Sequence, residues 1–219
     1  MTSQGYNLSP NTKNPHSLDS WVFFYQNAGG NRDNIKIEIN YSMRQHVFPP
    51  QTRAVNVAFL QNIPIRTLHP IELFGSKIKA LIERHTCRDL YDVYNLLHSE
   101  LIKDFDLAIL RKIVLFYLAV GGSEQPSTQY DLSGIEQIKF PQIRATLLPM
   151  LKKGDTFDFE TAKTEVVAFL EKLLQWTDSE IAFIESFVAK QYKPKLLFSD
   201  AEIIHNICNH PMAHWKVRE

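Results

Sequence analysis

Ile35-Lys36-Ile37-Glu38-Ile39-Asn40-Tyr41 alternates apolar and polar residues without a break. A period of two sends Ile35, Ile37, Ile39 and Tyr41 to one face of a strand and Lys36, Glu38 and Asn40 to the other. A compact apolar run over residues 21–25 precedes it, and Asn27-Ala28-Gly29-Gly30-Asn31 lies between the two. Two such runs around a glycine-containing turn predict a β-hairpin. An isolated hairpin is marginal in water, so this one calls for further sheet or covering helices. Residues 53–60 predict another strand, and residues 63–67 a short extended entry to the next helix.

The period changes at Pro70, where a missing N–H is harmless because the first helical N–H groups have no internal acceptor. Ile71, Phe74, Ile78, Leu81 and Ile82 then form one stripe at helical spacing, predicting a helix over residues 71–84. A second helix is predicted over 88–98, with Leu90, Val93, Tyr94 and Leu97 inward and Thr86-Cys87 as a tight link, making a helical hairpin. The most apolar run, 107–120, is interrupted by Arg111 and Lys112. It is too short and too charged to span a bilayer and reads as a buried helix. Further helices are expected over 143–152, 161–176, 179–190 and 200–208, with a hinge around Gly121-Gly122-Ser123 and Pro126. The pattern is α+β: sheet elements in residues 1–67, then a mainly helical domain over 68–219.

The chain has 219 residues, 44% of them hydrophobic, which is enough for a proper core and unlike a disordered composition. Its formal charge is zero, but residues 32–88 hold nine Lys/Arg against four Asp/Glu, leaving fifteen against twenty elsewhere. That local excess suits a phosphate-bearing ligand; chance clustering is the plainer alternative. Cys87 and Cys208 are the only cysteines, too few for a disulfide framework, and a reducing cytoplasm is the simplest setting. Residues 1–15 are polar and lack the apolar stretch of a signal peptide.

Several side chains could carry chemistry. Lys77 flanks the apolar stripe on the same side as Arg84, and an ammonium at the edge of a core can reach a phosphate in an adjacent cleft. It could equally lay its stem on the core and keep its head in solvent. Glu72, Lys79 and Glu83 fall on the opposite flank and are expected in water. Asp89 and Asp92 fall in the first turn of the second helix, where a carboxylate is stabilised by free N–H groups and the dipole. Asp92 can also pair with Arg88 at i,i+4. Asp89 lies closer to the inward side. Glu38 is a strand-borne carboxylate, rigid enough for a metal ligand, with a simple pair to Lys36 as the alternative. His205, Cys208, His210 and His214 have metal-like spacing, but a single cysteine and a Pro211 that interrupts any helix argue against zinc. Gly29-Gly30 is read as the hairpin turn, because no Asp-x-Asp or Asp-x-Glu pair comes after it at about ten residues.

The string from Leu68 through Pro70-Ile71-Glu72-Leu73, Lys77, Ala80-Leu81 and Arg84, continuing with Arg88-Asp89-Leu90-Tyr91-Asp92, resembles the AbiEii/AbiGii toxin family. That family's pattern is Pro-x-Glu-Leu-x-x-x-Lys-x-x-Ala-Leu-x-x-Arg, then Arg-Asp-Leu-Tyr-Asp-Leu. The strand over 35–41 and the ending Asn209-His210-Pro211-Met212-Ala213-His214-Trp215-Lys216 resemble it too, so the likeness spans about residues 21–216. The resemblance implies a nucleotidyltransferase-like toxin of a bacterial toxin–antitoxin or abortive-infection system. It would use a nucleoside triphosphate with Mg²⁺, modify an acceptor such as tRNA, and have an antitoxin as partner. Carried over, Lys77 matches the nucleotide-contacting lysine with Arg84 beside it, Asp89 or Asp92 the last acidic motif, with Asp89 favoured, and Glu38 an acidic metal position. The family's Gly-Gly-Ser/Thr and Asp-x-Asp/Glu motif does not precede Glu38. The sheet segment is therefore expected to be an N-terminally truncated remnant, with a metal site too incomplete for activity by itself. A homodimer or bound partner is expected to cover the exposed hairpin. The alternative is a non-catalytic module that binds an antitoxin or another protein.

Overall fold

The computed structural model describes residues 4–10, 18–41, 43–57, 60–152, 154 and 157–218. It divides into two compact units, residues 1–44 and 45–219, so the second pair of strands clusters with the helices.

The first unit is a three-stranded antiparallel sheet ordered β1-β2-β3, from β1 (Asn7–Leu8), β2 (Leu18–Gln26) and β3 (Arg32–Asn40). The hairpin forms as the alternation predicts. Trp21 faces Ile37 and Phe23 faces Ile35 across β2 and β3, and Leu8 on β1 faces Phe23. The turn is held by Asn27, whose Oδ1 accepts from the N–H groups of Gly29 (3.0 Å) and Asn31 (3.1 Å). Gly30 adopts φ +76°, the left-handed conformation that only glycine enters without a Cβ clash.

The second unit opens with a two-stranded antiparallel ladder, β4 (Gln51–Val57) with β5 (Leu60–Thr67). The segment expected only as an extended entry is thus a full strand. Pro64 sits in it without penalty because a two-stranded ladder has free edges that need no N–H.

The helices are α1 (Pro70–Arg84), α2 (Cys87–Leu97), α3 (Leu107–Gly121), α4 (Ser133–Glu136), α5 (Phe140–Thr146), α6 (Phe159–Leu173), α7 (Asp178–Val188), α8 (Ala201–Ile207) and α9 (Pro211–Lys216). α1 lies between α2 and α3; α3 also packs on α7 and α9, and α2 on α5 and α6. The close approach of α1 and α3 occurs at Gly75, where a Cβ would overlap the side chain of Ile113. Residues 113–120 of α3 are buried on every side, as a helix apolar all round requires. Its N-terminus is capped by Asp106, which accepts from Ala108 N–H at 2.8 Å.

Two expectations fail for reasons of proline chemistry. The helix over 143–152 is instead α5 and a 3-10 turn, Leu148–Met150, because Pro149 cannot donate the bond that a continuing α-helix needs. Pro211 does not interrupt a helix; it opens α9 from its first position.

Two buried carboxylates tie the helices to distant chain. Glu72 is 0% exposed, not in water as its wheel position suggests. Its oxygens accept from the N–H groups of Val47 (2.9 Å) and Phe48 (3.0 Å) and from the Tyr117 hydroxyl of α3. Burial, with that carboxylate alongside, pushes the Tyr117 phenol far above its usual range, so it stays a donor. Glu180 is likewise 0% exposed, caps α7 through Thr177 N–H (2.8 Å), and receives Arg111 Nε of α3 at 2.9 Å. Lys79 and Glu83, also expected in water, pair at 2.6 Å with side chains only 18% and 20% exposed. Lys79 reaches on to the Gly121 carbonyl at the end of α3.

Glu72→Ala removes the acceptor for two main-chain donors and one phenol. We expect it to lower unfolding stability by about 3 kcal/mol or more, and Glu72→Gln, which keeps one acceptor, to cost about half as much. Urea midpoints of the two variants against wild type measure this. Equal, small shifts for both would mean that water satisfies the orphaned groups.

Stability should also fall in mild acid. His210 is 0% exposed, edge-on to Phe116, and burial pushes its imidazole down to about 4, with His46 and His214 nearby acting in the same direction. Between about 6.5 and 4 the unfolded chain binds a proton that the folded chain refuses. The contribution is therefore complete above about pH 6.5 and is lost as pH falls towards 4, up to about 3 kcal/mol. Thermal melts from pH 7.5 to 4.5 should show this slope, and a His210→Phe variant should flatten it.

Candidate active site

α1 and α2 form the antiparallel pair on which most of the candidate residues lie. His85 ends α1 in the left-handed conformation, φ 47°, its N–H returning to the Leu81 carbonyl. Thr86 then caps α2: its Oγ1 accepts from Asp89 N–H (3.3 Å) and donates to Asp89 Oδ2 (2.6 Å). This sharp reversal turns two faces of the helices toward each other, and a cation of α1 meets a carboxylate of α2 at two levels.

The inner level is Arg84–Asp89. Arg84 donates through Nε (3.1 Å) and Nη2 (2.5 Å) to the two oxygens of Asp89, which is only 3% exposed. With Thr86 also bound, Asp89 has little acceptor capacity left for a ligand. The outer level is Lys77–Asp92, Nζ to Oδ2 at 2.9 Å, with side chains 42% and 38% exposed. Asp92 does not pair with Arg88 as its i,i+4 spacing suggests; Arg88 Nε donates instead to the Thr146 carbonyl at the end of α5 (3.0 Å). Lys77 wins because the interhelical seam presents it at hydrogen-bonding distance, while an i,i+4 pair on an exposed face is worth only a few tenths of a kcal/mol.

Asp92 also lines a cleft of about 360 Å³, together with Arg88, Tyr91, Leu147, Met150, Leu151 and Lys152. The cleft combines an apolar floor, a tyrosine and two cations, and Lys77 reaches its acidic wall from the α1 side. Of the two aspartates, the deeper one serves the helix pair and the shallower one faces open volume.

Glu38 belongs to the first unit. It sits on the polar face of β3 and pairs with Lys36 at 2.7 Å, both about half exposed. Among the described residues no group of three or more His, Cys, Asp and Glu side chains is arranged to hold a metal. The chain does contain Asp104-Phe105-Asp106 and Asp158-Phe159-Glu160, which have the family's acidic spacing. Asp106 and Asp158 are both helix caps; the Thr161 N–H that Asp158 binds holds its carboxyl below the usual carboxylate range. Around the histidine-rich tail, Cys208 Sγ contacts the His205 carbonyl (3.4 Å), His214 Nε2 the Cys208 carbonyl (3.0 Å), and His210 is in the core.

Sequence reasoning passed over Thr86 and Glu72. Thr86 had a readable signal, a Thr three residues before an Asp at the head of an apolar run. Glu72 had none, since its partners lie 24 to 45 residues away.

A family model described as nucleotidyl transferase AbiEii toxin, type IV toxin–antitoxin system, matches residues 6–181. No curated protein and no solved structure matches the chain. The match covers well over half of the sequence and takes in both levels of the α1–α2 seam. The chain therefore belongs to the AbiEii family of nucleotidyl transferase toxins.

Proposed function

We propose that this chain is a nucleotidyltransferase-type toxin that holds a nucleoside triphosphate at the α1–α2 seam, for transfer to an acceptor such as tRNA. The observation that carries this is the half-exposed Lys77–Asp92 pair at the wall of a cleft that also holds Arg88 and Lys152. An ammonium paired at the edge of solvent exchanges its partner at little cost, since exposed ion pairs are worth about 0–1 kcal/mol. A polyphosphate entering the cleft would take Lys77 from Asp92 and add Arg88 and Lys152 as counter-charges, while Tyr91 and the apolar floor offer a surface for a base. In this reading Asp92 is the acidic residue of the site, and Asp89, with Arg84, positions the helix that carries it.

A Mg²⁺ ion assisting phosphoryl transfer needs at least two converging carboxylates beside the phosphates. The second unit's candidates do not fit that role: Asp89 is spent on Arg84 and Thr86, and Asp106 and Asp158 on helix N-termini. In this reading the described residues bind nucleotide, and transfer requires carboxylates beyond those three. An antitoxin is the partner that the family implies. A second reading, a non-catalytic module docking that antitoxin, is favoured by the exposed Phe140, Leu148 and Met150, the last of which lines the cleft.

Lys77→Ala should weaken binding of a fluorescent nucleoside triphosphate about tenfold while lowering the free energy of unfolding by less than about 0.5 kcal/mol. Asp89→Asn should do the reverse, costing about 1–2 kcal/mol of stability through the bonds to Arg84 and Thr86. No measurable nucleotide binding by wild type, or Lys77→Ala binding as wild type does, would favour the docking module.

Catalysis is tested separately. Incubated with labelled nucleoside triphosphates, Mg²⁺ or Mn²⁺ and total tRNA, the purified chain should give no label above background, because losing the metal site removes roughly a thousandfold or more in rate. Incorporation abolished by Lys77→Ala would show that transfer needs no further carboxylates.

A further inference from the structure

β3 is an edge strand of the first unit's sheet among the described residues. Its hydrogen-bonding phase is set by the turn. Asn27 N–H donates to the Asn31 carbonyl at 2.9 Å, so bonded pairs recur at every second step along the ladder, at Tyr25/Asp33, Phe23/Ile35, Trp21/Ile37 and Asp19/Ile39. The main-chain groups of Lys36 and Glu38 then point away from β2, toward the outer edge. A nine-residue edge with outward N–H and C=O groups is a template for another strand. Charged residues on an edge commonly blunt such pairing, and Lys36 and Glu38 are that kind of residue. Here, however, they stand two apart, on one face, with opposite signs, and Ile37 lies between them.

We propose that β3 pairs with β3 of a second copy of this chain, antiparallel, about a two-fold axis through Ile37. In this register Lys36 of each copy lies directly opposite Glu38 of the other, and the outward main-chain groups of both residues meet in a bonded pair. The intrastrand pair, 2.7 Å with side chains 53% and 43% exposed, becomes a square of alternating charges. Ile35, 38% exposed, packs against Ile39 of the second copy, 45% exposed, and Ile37 against Ile37 at the close, non-bonded positions. The neighbouring registers are disfavoured by the same residues. Sliding by one places outward groups opposite inward ones. Sliding by two in either direction sets Lys36 against Lys36 or Glu38 against Glu38, and like charges directly opposed are destabilising. A mixed, non-self-complementary edge would carry no such single register, so the sequence of β3 favours a second copy over an unrelated strand. The pairing is independent of the nucleotide reading.

The test is a charge exchange on the full chain. Wild type should sediment as a reversible dimer within about 1–100 µM. Lys36→Glu alone gathers only carboxylates at the axis, and Glu38→Lys alone only ammonium groups, so each should weaken dimerisation about tenfold or more. The double variant K36E/E38K restores the alternation and should dimerise as wild type does. An equimolar mixture of the two single variants should form a heterodimer. In a Cys208→Ser background, Ile37→Cys should oxidise to a covalent dimer. Ile35→Cys should not, because its two copies stand about 13 Å apart in this register, beyond disulfide reach. A monomeric wild type throughout that range, single variants that associate as wild type does, or failure of the double variant to recover would each overturn the proposal.

Discussion

The carboxylate of Glu72 is the fixed point of the helical unit. It is buried, with the His46 imidazole Nδ1 at 3.7 Å, and accepts from two main-chain N–H groups and one phenol. Removing a carboxylate from water is costly unless its lone pairs are filled, and here three donors from two separate parts of the chain converge on it. The consequence is geometric. The first turn of α1 is locked to residues 47–48 on one side and to α3 on the other, and Gly75, one turn further on, permits the two helices to close. Asn206 of α8 donates to the Val47 carbonyl at 3.1 Å, so the same short segment also gathers the C-terminal helices.

With α1 held, the α1–α2 seam acquires its graded polarity. Near the reversal, Thr86 and Arg84 donate to a buried Asp89 carboxylate, although the Arg84 side chain itself is 59% exposed; two turns of α1 away, Lys77 meets an Asp92 that is 38% exposed. The gradient separates duties that the motif places side by side. A buried carboxylate with three donors bound holds a helix in place, while one with a single exchangeable partner beside open volume can respond to a ligand. Lys79 and Glu83, on the other flank of α1, secure the end of α3, so both polar flanks of the helix bear structural bonds.

The sequence by itself determined the hairpin, most of the longer helices and the family. Helical spacing marked α1, α2 and α3 nearly to their ends, a strict alternation marked β3, and Pro70 marked a helix start, because all of these depend on residues within a turn or two of each other. The polar residues of the Pro70–Tyr94 stretch identified the AbiEii family for the same local reason. What the tertiary structure decided was where each charged side chain ends up. A helical wheel assigned Glu72 to the flank away from Lys77 but knows nothing of what lies beyond that flank, and there stood Val47, Phe48 and Tyr117. It offered Arg88 as a partner for Asp92, and the neighbouring helix supplied Lys77 instead. It ranked Asp89 above Asp92 by depth, whereas depth is what allowed Thr86 and Arg84 to engage it. The partners of Glu72 and Asp92 lie 15 to 45 residues away in the chain, and only folding brings those groups to hydrogen-bonding distance.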